Sequence, residues 1–137
     1  MTTIKEQYSH LQGTYTSCHD FKNCPGWLET CIKPTFCKLD QLYKEGKVVI
    51  VCTMLPERLQ GSWIEMTLTD NSCHEAKALA NALKTSTKTT CSMCGKLGYE
   101  CKGGPLDDCL TLCHDCVEDG HKNGINYRIR LTYKVKC

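Results

Sequence analysis

The stretch CSMCGKLGYECKGGPLDDCLTLCHDC, residues 91–116, decides how this chain is read, because it opens on Cys91-Ser92-Met93-Cys94 and closes on Cys113-His114-Asp115-Cys116. Two cysteines separated by two residues curl around one ion at about 2.3 Å per sulfur, and two such pairs complete a closed tetrahedron. The eighteen residues between the pairs fall within the range of structural zinc sites. Gly95 suits the tight turn that follows the first pair, and a short helix is expected to start near Cys113. Zn2+ is therefore the expected cofactor, with Cys91, Cys94, Cys113 and Cys116 as its ligands.

Working outward, the whole chain holds 13 cysteines in 137 residues, a density also found in disulfide-stapled secreted domains. The start, MTTIKEQYSH, has no basic region followed by an apolar stretch, so a secretory signal is not expected. An odd cysteine count without an export signal favours clustered thiolates on metal over disulfides, and an intracellular location, cytoplasm or nucleus. No apolar run approaches the roughly 20 residues of a spanning helix, so no membrane partner is expected.

Cys-x2-Cys-Gly followed by Leu-Cys-x2-Cys resembles the treble-clef zinc fingers, a group that includes GATA-type fingers and HNH-like nucleases. The resemblance covers about residues 90–122. Within it, residues 107–121 (DDCLTLCHDCVEDGH) look most like the end of an HNH element, with His121 five residues beyond Cys116. That lineage also implies a water-activating histidine on the preceding strand, and residues 95–108 contain none. A finger of this kind would lack catalysis.

Cys101, Cys109, His114 and His121 are extra candidates. They would build a cross-braced second site, as in RING-like or MYND-like modules, or replace a ligand; otherwise Cys101 and Cys109 are buried free thiols. Cys109 and Cys113 are four apart and are expected to share a helix face. A further site is possible at Cys18, Cys24, Cys31 and Cys37, with His19 as alternative ligand, where a metal would substitute for a missing core. The competing reading there is two disulfides or simple burial. Cys52 reads as core, and Cys73 as a thiol packed on the sheet or activated by a helix start.

The remaining chain predicts an α+β fold: a small antiparallel sheet with one packed helix and a treble-clef-like insertion. Residues 1–46 read as a Cys-rich, loop-rich segment, since Pro25, Gly26 and Pro34 interrupt it, with one short helix near residues 39–45. Residues 47–87 read as a β-hairpin plus helix. KVVIVCTML, residues 47–55, is β-branched, and SWIEMTLT, residues 62–69, alternates. Ser72 and Glu75 form a capping-box pattern before Ala76, Leu79, Ala80 and Leu83, which recur at helical spacing over residues 73–84. KTSTKTT, residues 84–90, reads as a polar linker. Residues 88–137 hold the finger and a basic strand, NYRIRLTYKVK at 126–136, expected to join the hairpin as its third strand.

Charge points to partners. The net charge is +2, split as nine basic and nine acidic residues over 1–87 against eight and six over 88–137. Beyond Gly120 no acidic residue opposes Lys122, Arg128, Arg130, Lys134 and Lys136. Arg128, Arg130, Lys134 and Lys136 are therefore the candidate nucleic-acid contacts, with Trp63 and Tyr99 as candidate stacking residues. The same charges would also protect an edge strand from aggregation. Near-neutral overall charge suits a protein partner instead, the chain acting as an adaptor or inhibitor. Catalysis is the weakest class: a thiol centre at Cys24 with a distant His74 is unspecific among so many cysteines. No small-molecule substrate is evident.

Overall fold

The computed structural model describes residues 4–18, 21, 24–56, 63–103 and 108–129. The architecture is mixed helix and strand, with two three-stranded sheets. After the short helix α1 (Ile4–Gln7), the first sheet contains β1 (Gln12–Cys18), β2 (Val51–Pro56) and β3 (Ile64–Leu68) in that order. The expected hairpin is present as the antiparallel β2–β3 pair, with Met54 opposite Met66. Its third strand differs from expectation: β1 fills that place, and it runs parallel to β2, with Gln12 opposite Val51 and Cys18 opposite Met54.

A parallel pair requires a crossover, and the crossover is helical. It comprises α2 (Pro25–Trp27), a π turn at Leu28–Ile32 and α3 (Lys33–Lys44). The prolines that read as breakers sit where a helix tolerates them. Pro25 occupies the first helical position, where its missing N–H costs nothing, and Pro34 opens α3 immediately after the π turn. Trp27, Ile32, Phe36 and Leu39 lie fully buried along this run, beside Leu11, Val51, Met54 and Ile64. The segment expected to be loop-rich thus supplies much of the larger core.

The helix expected at residues 73–84 is α4 (His74–Lys88), packed on β3 and on α3 through Ala76, Ala80 and Leu83. Cys73 is its N-cap without a side-chain hydrogen bond. Ser72 does not form the capping box: its buried hydroxyl accepts from Ile50 N at 3.2 Å and meets Thr69 Oγ1 at 2.9 Å, while Glu75 pairs with Lys47 at 2.6 Å. Both groups found tertiary partners that the local pattern does not encode.

The expected linker after Lys84 is the last turn of α4. Thr87 accounts for it. Its fully buried hydroxyl donates back to the Leu83 carbonyl at 2.9 Å and accepts the Ile64 N–H at 2.9 Å, tying the helix end to β3. Thr87→Val, of equal shape, leaves that buried donor unpaired and is expected to destabilise the chain by about 1–3 kcal/mol in urea unfolding. An unchanged midpoint would dissociate this hydroxyl from stability.

The second sheet contains β5 (Asp108–Leu112), β4 (Tyr99–Gly103) and β6 (Arg128–Ile129) in that order, all antiparallel, with α5 (His114–Lys122) between β5 and β6. The basic strand therefore begins in this second sheet, Arg128 opposite Lys102, and not beside the hairpin. Gly103 allows the approach: a Cβ there would lie 2.5 Å from the Asn126 carbonyl, just before β6. Residues 130–136 of that expected strand lie outside the described residues.

Candidate metal centre

Cys91 and Cys94 lie on a knuckle between α4 and β4, whereas Cys113 and Cys116 lie at the start of α5. Cys91 N–H donates to the Lys96 carbonyl at 2.7 Å and Gly95 N–H to the Cys91 carbonyl at 3.0 Å, folding the pair into one turn. Gly95 takes φ +83, a left-handed conformation that glycine adopts without strain. Ser92 N–H donates to the Thr111 carbonyl at 2.9 Å, so the knuckle lies along β5. Cys113 is the N-cap of α5, where its sulfur accepts the Cys116 N–H at 3.4 Å.

The four sulfurs lie within 4.8 Å of one another, with Cys94 and Cys113 3.3 Å apart. Zinc–sulfur bonds of about 2.3 Å set the edge of a tetrahedron near 3.8 Å, so the set fits one ion without rearrangement of the chain. Cys91 and Cys113 are buried, Cys116 is half-buried and Cys94 is exposed. For Cys91, burial raises the thiol but is outweighed by backbone N–H donors from Cys94, Cys113 and Met93, bringing it down to about 7. Burial and neighbouring sulfurs hold Cys116 well above the usual thiol range. A cation resolves this crowding by taking all four as thiolates. Four cysteines are thus arranged to hold a metal ion.

The other candidates are placed elsewhere. Cys101 is fully buried in β4, where its thiol donates to the Tyr99 carbonyl at 3.2 Å and burial pushes it up to about 11. It is a core thiol beside the site. Cys109 lies on β5, opposite Lys102, so it shares no helix face with Cys113; its side chain lies outside the described residues. His114 is exposed with its ring 5.0 Å from that of Tyr99, and His121 Nε2 meets the Tyr127 carbonyl at 2.7 Å. Neither joins the sulfurs.

The N-terminal cysteines diverge. Cys31 is buried in the larger core, Cys24 packs against that core and Cys37 is exposed on α3. The side chains of Cys18 and His19 lie outside the described residues. Among the described residues the 91, 94, 113 and 116 set is the metal-competent group. Burial pushes Cys24 up to about 11, the reverse of an activated nucleophile. Cys52 is half-buried rather than fully core, and Cys73 packs on the core.

A further part of the site comes from the crossover helix, outside the cysteine motif. Gly26 and Trp27 are first-turn helix residues whose N–H groups have no partner within the helix. Both donate to the Ser92 carbonyl of the knuckle, at 2.8 and 3.3 Å, and the Trp27 indole donates to the Thr90 carbonyl at 2.7 Å. A Cβ on Gly26 would lie 2.5 Å from the Cys91 carbonyl oxygen and 2.7 Å from Cys94 N, and would also strike Gly95 N. The start of the crossover helix is therefore seated directly on the turn that carries Cys91 and Cys94. The Cys24-Pro25-Gly26-Trp27 run carries that signal, as a proline-started helix with a glycine at a close approach.

No protein-family model matches the chain, and no curated protein or solved structure shows significant similarity to it. No helix of the described residues is long and apolar enough to cross a membrane.

Proposed function

We propose that this chain is a zinc protein of the treble-clef kind whose ion is structural and whose output is binding of nucleic acid. The observation that carries the structural role is the donor set: four thiolates close the coordination shell and leave no position for a reacting water. Zinc suits four soft sulfurs in a tetrahedral set better than a hard cation does. The ion would fix the knuckle, the start of α5 and, through Ser92, the start of the crossover helix.

The nucleic-acid reading draws on the basic end of the chain. Arg128 is exposed opposite Lys102, and the sequence continues the charge with Arg130, Lys134 and Lys136. Each side chain that neutralises a phosphate releases a counterion, so binding would weaken steeply with salt. Titration of labelled RNA and DNA at low salt is expected to show binding, with the salt slope reduced by about one for each charge removed in Arg128→Gln and Arg130→Gln. Absence of binding to single- and double-stranded forms alike would end this reading.

A protein partner is the second reading, favoured by the knuckle's own surface. Met93 and Leu97 are 48% and 65% exposed on either side of Cys94 and Gly95. Retention on heparin that salt abolishes would separate the first reading from this one.

A further inference from the structure

We propose that Cys94 is a site of oxidative modification, with Cys113 as its resolving thiol, and that formation of their disulfide releases the metal and unseats the start of the crossover helix from the knuckle. The inference rests on the structural-zinc reading for its starting state. Three observations carry it. Cys94 is the exposed member of the four, so a small oxidant meets its sulfur first. Cys113 Sγ lies 3.3 Å away, and about 3.8 Å away at the edge of a zinc tetrahedron, so it needs to approach by about 1.2–1.7 Å to reach the ~2.05 Å of a disulfide. The knuckle that carries Cys94 is also the seat for Gly26 and Trp27, through the Ser92 and Thr90 carbonyls.

The oxidant is a peroxide. The Cys94 thiolate attacks one peroxide oxygen; the S–O bond forms, the O–O bond breaks and hydroxide leaves. The Cys113 thiolate then attacks that sulfur; the S–S bond forms, the S–O bond breaks and a second hydroxide leaves. Solvent protonates both to water, so the two thiolates give up two electrons and the peroxide accepts them. The ion is left with Cys91 and Cys116 alone, too few ligands to keep a structural site closed. Cys101, fully buried and hydrogen-bonded to Tyr99, stays a thiol. Trp27, 0% exposed in the seated state, reports the outcome through its fluorescence.

The test uses the full chain, with metal content measured before hydrogen peroxide is added. Metal release is followed with a chromogenic chelator, disulfides are mapped on proteolytic fragments, and Trp27 emission is read in a Trp63→Phe background. The expected result is one Cys94–Cys113 disulfide per ion released, a red shift of Trp27, and reversal by dithiothreitol with metal. Cys94→His keeps a fourth metal ligand without the thiol and is expected to slow release on the order of tenfold. Cys37→Ser, which removes an exposed thiol of α3, is expected to change nothing. A Cys91–Cys94 disulfide, or release without any disulfide, overturns the proposal, as does a release rate unaltered in a metal-loaded Cys94→His chain. Should that variant fail to load, the disulfide map of the natural chain decides. A chain empty of metal before peroxide refutes the zinc reading instead, and the same map still tests the cysteine pair.

Discussion

Cys113→Ala is expected to abolish metal retention and to unfold β4, β5 and α5, the largest effect of any single substitution in this chain. Cys113 has two places in the structure, as one of the four sulfurs arranged to hold a metal ion and as the N-cap of α5 that accepts the Cys116 N–H. A lost cap costs about 1 kcal/mol, whereas a structural zinc contributes about 10–16 kcal/mol to small fingers. Among the described residues its buried cluster contains Cys91, Cys101 and Cys113 with Leu110, Leu112 and Val117 as aliphatic members, a core too small to order the segment by burial alone. Cys113→Ser restores a cap acceptor but not a soft ligand, so it should fail nearly as badly and differ from alanine by about the cap alone. Elemental analysis and amide exchange over α5 check both variants. Metal bound at the natural stoichiometry and affinity by Cys113→Ala would exclude it from the ligand set.

Gly26→Ala is expected to destabilise the chain by about 3 kcal/mol and to weaken metal retention at a site in which it provides no ligand. Position 26 lies within a helix at negative φ, where alanine would ordinarily stabilise by about 0.5–1 kcal/mol. The contact reverses the sign. Its methyl group would stand against the backbone of Cys91, Cys94 and Gly95, none of which can rotate away as a side chain would. Relief requires lifting the helix start off Ser92, which strands the Gly26 and Trp27 N–H donors and the Trp27 indole. Urea unfolding and competition with a chelator measure the two effects. Increased stability would mean that the crossover helix and the knuckle are not in contact in solution.

Local signals with a strict period were legible in the sequence. The paired two-residue spacings at 91–94 and 113–116 identified the four sulfurs that converge, the alternation of Ile64, Met66 and Leu68 marked β3, and the recurrence of Ala76, Ala80 and Leu83 marked α4. Signals whose meaning depends on distant partners were not. Pro25 and Pro34 read as helix breakers because their positions relative to the helix starts were unknown, and with them went the crossover that makes β1 and β2 parallel. Ser72 and Glu75 match a capping box, but Ile50 and Lys47 compete for them from across the fold. Arg128 and Ile129 alternate well enough for any sheet; the close approach at Gly103 selects β4. His121 matched the spacing of a late ligand, yet the Tyr127 carbonyl holds its ring.

The most direct measurement is elemental analysis of the reduced, metal-replete chain, followed by removal of the ion with a chelator. The account predicts one zinc at the Cys91, Cys94, Cys113 and Cys116 sulfurs, and loss of protected amides in α5 and β5 once it is withdrawn. A chain that carries no ion, and whose α5 and β5 amides stay protected in chelator, would contradict it.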